Sequence, residues 1–242
     1  MKGFFNRLLR IDLTQKSFEY EQISDDLLKN TLGGKGLGIH YLYEENPVGV
    51  DALSEESIFI IAVGPTTGTK IWGQSRFGVY AKSPATGGWG ESYCGGSLAP
   101  KIKACGVDAI IFKGKCDSLT YLTIKEGEVE FKDAGFLKGV NTDESESVIL
   151  KNSEPGSGAM VIGPAGENLI PFACVKSDRW RSVGRGGMGA VFGAKNLKGI
   201  SFFGQQKTEI ANIELQKKVS KIIAKKGKES PTTELYRKFG TP

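Results

Sequence analysis

One order of motifs is written twice in this chain. VGPTTGT from Val63, VYAKSP from Val79, a glycine-rich stretch ending YCGG at Gly96, and DAIIFKG to Gly114 make the first pass. IGPAGEN from Ile162, ACVKSD from Ala173, a stretch ending GRGG at Gly187, and KGISFFG to Gly204 make the second. Gly64-Pro65 answers Gly163-Pro164, Lys82-Ser83 answers Lys176-Ser177, and Gly95-Gly96 answers Gly186-Gly187. The offset shrinks from 99 residues at Gly64/Gly163 to 90 at Gly114/Gly204, so loops shorten while elements keep their order. An internal duplication of this kind constrains the fold strongly. It predicts an α+β domain of two similar β-sheets related by a pseudo-twofold, with a few helices, each half presenting one glycine loop to a shared face.

The elements follow from periodicity. Residues 4–22 alternate and break at Thr14-Gln15-Lys16, a β-hairpin. Asp25 and Asp26 open a short helix that stops at Gly33-Gly34, and GGKGLG (Gly33 to Gly38) reads as a glycine loop, a second candidate anion cradle, before a helix from Ile39 to Glu45. SIFIIAV and RFGVYAK read as strands, ATGGWGESYCGG as a loop, SLAPKIKACG as a helix and VDAIIFKG as a strand. A second hairpin, LTYLTIKEGEVEFKDA, and a polar helix around TDESESVILKN precede the second pass. This places one domain over residues 1–208. From Ile210 the character changes to a helix-period amphipathic run, so 209–242 reads as the start of a following helical domain, in a longer protein or a split one.

The second pass carries the clearest chemistry. RWRSVGRGGMGA sets Arg179, Arg181 and Arg185 among Gly184, Gly186, Gly187 and Gly189. Fixed positive charge beside uncovered backbone suits phosphate, and the first turn of the helix that follows would add N–H donors. Gly184, Gly186 and Gly189 also spell the dinucleotide fingerprint. That motif wants a strand immediately before it and an acid about 20 residues later, whereas the preceding apolar run stops at Val175 with eight polar or mixed residues after it, and no acid stands near Gly204 and Gln205, so a dinucleotide site is not expected. A glycine turn that merely packs a helix on a sheet would explain the glycines but not the arginines.

Composition closes other routes. The net charge is +5, with much of the excess in KKVSKIIAKKGK, a lysine-rich face without interleaved aromatics, which argues against nucleic acid. No segment has the length of a membrane span and no signal-peptide core is visible, so a cytoplasmic protein is expected. Cys94, Cys105, Cys116 and Cys174 form no CxxC pair and read as buried thiols, with Cys94 alone placed for more. The single histidine, His40, falls on the apolar face of a helix, which nearly excludes triads and histidine metal sites.

Taken together, LGGKGLG, GPTTGT, SRFGVYAKSPATG, the GES..GG loop, IGPAGEN and RSVGRGGMGAVFGAKNLK resemble the N-terminal domain of the tungsten-containing aldehyde:ferredoxin oxidoreductase family. They run in family order from about Gly3 to Gly204. The resemblance implies a base for a bis-pterin cofactor (tungstopterin, with tungsten or molybdenum held by pterin sulfurs) and a magnesium ion bridging the phosphates. By motif position, Arg76, Gly95, Gly96, Arg181, Gly184 and Arg185 correspond to cofactor contacts, and Tyr93 and Ser182 to the main-chain carbonyls that hold magnesium. Arg179 has no counterpart. The sequence departs from the family at Tyr93, commonly an asparagine, and at Cys94, whose thiol is thereby a candidate to reach cofactor or substrate.

What the family implies for function is the oxidation of an aldehyde to a carboxylic acid, with electrons passed through a 4Fe-4S cluster to ferredoxin. The cluster cysteines and the acid/base residues belong to helical domains whose motifs are not in this sequence, so the chain alone is expected to be inactive, and no catalytic residue is assigned. A homodimer is a further expectation. Two alternatives stay open: a stand-alone pterin or phosphate-ligand carrier, and a superfamily member acting on another substrate such as an aromatic acyl-CoA.

Overall fold

The computed structural model describes residues 1–240. Apolar alternation in RLLRID and the turn after it form the first hairpin, β1 (Arg7–Asp12) against β2 (Ser17–Gln22), registered from Arg7↔Gln22 to Asp12↔Ser17. Two helices follow, α1 (Asp25–Thr31) and α2 (Lys35–Glu45). Then come β3 (Phe59–Val63), β4 (Arg76–Lys82), β5 (Trp89–Gly95), α3 (Leu98–Ala104) and β6 (Ala109–Lys113). The second half contains β7 (Thr120–Lys125), β8 (Glu128–Asp133), α4 (Thr142–Lys151), β9 (Gly158–Val161), the short α5 (Pro164–Glu167), β10 (Val175–Ser177), β11 (Arg181–Val183), α6 (Met188–Ala194) and β12 (Leu197–Phe202). Two further helices, α7 (Ile213–Glu229) and α8 (Pro231–Phe239), end the described chain.

The strands build two six-stranded sheets, ordered β2-β1-β6-β3-β4-β5 and, read from the matching end, β8-β7-β12-β9-β10-β11. The two orders are the same once each strand is replaced by its counterpart six later. Even the parallel pairs correspond, β1 with β6 and β7 with β12. The duplication is therefore wider than the motifs that reveal it: each copy begins with a hairpin, then helices, then the glycine-bearing strands. Fold class and pseudo-twofold pairing are as the sequence indicates.

A central apolar layer joins the copies. Phe59, Ile61, Phe77 and Val79 of the first sheet and Ile124, Met160, Ile200 and Phe202 of the second belong to one buried cluster with Ile102 of α3 and Phe192 of α6. The outer face of the first sheet is covered by α1 and α2 through Leu28, Leu37 and Tyr41, and that of the second by α4 through Ile149.

Two local expectations change. WGESYCG is not loop but the strand β5, and Gly36 and Gly38 lie inside α2, which starts at Lys35. The close approach of α2 to the sheet and to the end of α1 explains its glycines: a Cβ on Gly38 would overlap the ring of Tyr80 in β4, and one on Gly36 the carbonyl of Thr31 in α1. GGKGLG is thus a packing device, and Lys35 is tied by an ion pair to Glu91 of β5 (Nζ to Oε2, 2.9 Å).

Candidate functional site

The strands β5 and β11 are the terminal strands of their sheets, and the copies bring these two edges together. An edge strand leaves alternate N–H and C=O groups outside the ladder, so main-chain donors and acceptors of both copies face one region. The contact is reciprocal. The turn after Ser83 in the first copy lies on Gly186-Gly187 of the second, where a Cβ on Gly187 would come 2.9 Å from Cγ of Pro84. The turn after Ser177 in the second copy lies on Gly95-Gly96 of the first, where a Cβ on Gly96 would overlap the Asp178 carboxylate. Each copy therefore seats its turn on the partner's glycine pair, as a twofold relation requires. Side chains lock the seam: Arg185 N–H donates to Ser92 Oγ at 3.0 Å, and Cys94 Sγ lies 3.6 Å from Ser177 Oγ.

Three guanidinium groups gather along it. Arg76 opens β4 opposite Gly95, and its side chain lies over that glycine, where a Cβ would come within 2.9 Å of Nη1. Arg181 reaches Gly96 from the other copy, its Cγ 3.0 Å from a Cβ built there. Arg185 lines a groove of about 460 Å³ with Thr86, Trp89, Glu91 and Tyr93. Arg76, Arg181 and Arg185 are all exposed, and none has an acidic partner among the described residues. Gly184 is exposed, and a Cβ there would meet only Ser182.

Tyr93 is 44% exposed, packs edge-on against Tyr80 with ring centroids 6.1 Å apart, and donates its hydroxyl to Glu91 Oε2 at 3.2 Å. Partial burial raises its pKa, whereas the hydrogen bond from Lys35 holds the Glu91 carboxyl below its usual range. Ser182 is exposed on β11 and accepts a hydrogen bond from Lys176 Nζ at 2.9 Å.

Two expectations need correction. Cys94 is only 1% exposed and belongs to the central apolar cluster, because strand alternation turns it away from the face that Tyr93 occupies. Burial also raises its pKa, so the thiol is neither on the seam's outer surface nor poised to react. The helix ends are not open donors either. The first turn of α6 is buried and its Gly189 N–H is bonded to Ala173 O at 2.9 Å. The N-terminus of α3 is filled by Asp178, whose carboxylate accepts Ser97 N–H and Ser97 Oγ–H at 2.6 Å each. Any anion at this seam would therefore be held by guanidinium groups and edge backbone, not by helix ends.

Sequence reasoning missed Asp178 and Glu146. Arg179 turns out to belong to their structure: its N–H donates to Glu146 Oε2 at 2.9 Å and its Nη2 lies 3.5 Å from Ser147 Oγ, both on α4. The available signal was Ser-Asp-Arg-Trp between two short strands, since Asp tolerates the left-handed turn such a hairpin uses. Among the described residues no helix is long and apolar enough to cross a membrane.

Comparison with known proteins agrees with this architecture. Residues 8–204 match the family described as aldehyde ferredoxin oxidoreductase, N-terminal domain. The tungsten-containing aldehyde ferredoxin oxidoreductase of Pyrococcus furiosus is 39% identical over 230 residues, covering 92% of this chain and 38% of that protein. The aliphatic sulfonate oxidoreductase, WOR-like subunit, of the same organism is 32% identical over 259 positions, covering all of this chain and 40% of that protein. A solved structure of the active site complex BamBC of benzoyl coenzyme A reductase, with 1,5-dienoyl-CoA, superposes with a TM-score of 0.90 at 34% identity, over 94% of this chain and 35% of that one. The chain thus spans well under half the length of the relatives it matches. The doubled sheet, the seam motifs and these matches agree: the chain belongs to the aldehyde ferredoxin oxidoreductase family, as its N-terminal domain.

Proposed function

We propose that this chain is the pterin-binding part of a tungsten- or molybdenum-dependent oxidoreductase, its seam holding the phosphates of a bis-pterin cofactor. The single observation that carries the reading is the set of three exposed guanidinium groups, Arg76, Arg181 and Arg185, gathered where the two copies meet and lacking any acidic partner among the described residues. Unneutralised arginines beside glycine backbone fit a phosphate-bearing ligand by their donor chemistry, since guanidinium offers paired, charge-assisted hydrogen bonds. A cofactor of two similar halves suits two equivalent edges. Tyr93 and Ser182 stand on those edges, where a main-chain carbonyl could ligate magnesium without any particular side chain.

When bound, such a cofactor supplies the two-electron redox chemistry; the chain supplies binding, orientation and electrostatics. The boundary near residue 208 belongs to the same proposal, as do ferredoxin, a 4Fe-4S cluster and an aldehyde substrate in the complete protein. A second reading concerns the substrate alone: relatives named for aliphatic sulfonate and benzoyl coenzyme A share this domain, so a non-aldehyde compound is the alternative.

The test is the double variant Arg181→Ala with Arg185→Ala in the protein purified from its host, with metal and pterin measured. Loss of most of both, at an unchanged fold by circular dichroism, is expected. Unchanged content would refute the phosphate-clamp role.

A further inference from the structure

The reciprocal seating of the two turns is symmetric in backbone but not in chemistry. The first copy's turn presents Pro84 to Gly187, an apolar contact. The second copy's turn presents a carboxylate, Asp178, to Gly96 and Ser97. That turn is held in a demanding conformation: Asp178 and Arg179 are successive non-glycine residues with φ of 48° and 56°. Behind it stands Glu146 of α4, 4% exposed, accepting the Arg179 N–H at 2.9 Å. Gly96, at φ 110°, is pinned from its other side by Ser75 Oγ, which donates to the Gly96 carbonyl. A chain of polar contacts therefore runs from α4 through the second copy's turn to Ser97, beside the glycine pair of the first copy, between the positions of Arg181 and Arg76.

We propose that Asp178, braced by Glu146, is the positioning residue that fixes the spacing between the two halves of the seam. It rests on the cofactor reading above, because spacing matters only if one ligand spans both halves. A site that grips a rigid ligand at two points must hold its groups to within roughly 0.5 Å. Asp178 is the one acidic side chain that hydrogen-bonds across from the second copy's turn to the first copy, at Ser97 directly after the glycine pair. Its carboxylate and the Arg181 side chain both lie against Gly96, so the same turn that sets the spacing also carries one of the arginines.

The experiment compares Asp178→Ala, Asp178→Asn and the Arg181/Arg185 double variant in the cofactor-loaded protein from its host. It reads metal and pterin content, hydrogen exchange of the Ser97 amide, and the unfolding midpoint. Asp178→Ala should lower Ser97 protection by about tenfold or more, as loss of a hydrogen bond to a charged acceptor implies. It should also lose at least half of the cofactor, with the unfolding midpoint of cofactor-free protein little changed. Asp178→Asn keeps an acceptor for the Ser97 N–H but not for its hydroxyl, and should fall between wild type and alanine in both readouts. It also decides the matter if the alanine variant fails to fold. Weakened Ser97 protection with full cofactor content would overturn the proposal, as would cofactor loss that merely tracks unfolding. If the arginine variant empties while both Asp178 variants stay loaded, positioning fails and the cofactor reading stands. If all three stay loaded, the cofactor reading itself falls and this proposal with it.

Discussion

The ammonium of Lys195, 1% exposed, donates to Gly114 O at 3.0 Å and Glu55 O at 3.4 Å, joining the end of α6 to the loop after β6. Two carbonyls accept from it but do not neutralise it, and burial lowers its pKa from 10.5 to about 8. The unfolded chain keeps this proton up to about 10.5 while the folded chain releases it near 8. Unfolding therefore takes up a proton between those values, and folding stability rises with pH across that window. Below pH 8 the buried charge costs a constant amount of roughly 3 kcal/mol. Lys195→Met should remove this dependence. The stability of wild type minus variant, from denaturant titrations at pH 7, 9 and 10.5, should climb with pH, and a flat difference would count against a shifted lysine. None of this was legible in KNLK, because only the fold shows that Lys195 ends under a loop. Cys94 shows the converse. The period-2 pattern of Trp89 to Gly95 was present, but its inward residues, Gly90, Ser92 and Cys94, are small because the other copy lies against them: a Cβ on Gly90 would come 2.5 Å from Met188 Cε. Small inward residues look like loop composition, and that hid the strand.

Among the elements, α2 shows how a glycine-rich sequence can mislead. Gly36 and Gly38 lower helix propensity by about 1 kcal/mol each relative to alanine, so GGKGLG reads as a loop. The helix forms because its packing against β3 and β4 outweighs that deficit, and the glycines are what permit the approach. Gly38→Ala sets the two effects against each other. Propensity would gain about 1 kcal/mol, but the new methyl would enter the space of the Tyr80 ring, itself 1% exposed and stacked on Trp89 with centroids 5.6 Å apart. Overpacking of this kind costs about 1–3 kcal/mol. A net loss of stability in chemical denaturation is therefore expected, and a stabilised variant would show that Tyr80 yields more easily than its packing indicates. The hairpins and strands β3, β4 and β6 were legible from alternation and apolar runs. The seam strands β5 and β11 were not, because each is shaped by the other copy.

For the whole molecule, the repeat was readable from Gly64 onward because glycine, proline and the Lys-Ser pair mark turns that both copies need. Its first third was not. β1–β2 and β7–β8 occupy equivalent places with no shared motif, because a hairpin on that edge needs only alternation and a turn. The seam, with its arginines and glycines, was legible in residue type. The Asp178–Glu146 brace was not, since it joins elements 33 residues apart through a turn of ordinary polarity. The helices after the second copy give the last test of where the cooperative unit ends. Neither α7 nor α8 contains a buried residue. Contacts of α7 with the body include a hydrogen bond from Ser220 Oγ to Lys70 O at 2.8 Å, and Trp72 against Gly227. Beneath it lies a cavity of about 950 Å³ bordered by Ile210 and Ile213. The Glu209 carbonyl still accepts Gly3 N–H at 2.8 Å, so a cut after Ala211 preserves that tie. Because little apolar area leaves water when these helices form, removing residues 212–242 should change unfolding free energy by less than about 1 kcal/mol. Matching urea midpoints and m-values for the shortened and the 242-residue chains would place the whole folding unit in the doubled sheets. A large drop would mean that α7 closes over its cavity and is part of that unit.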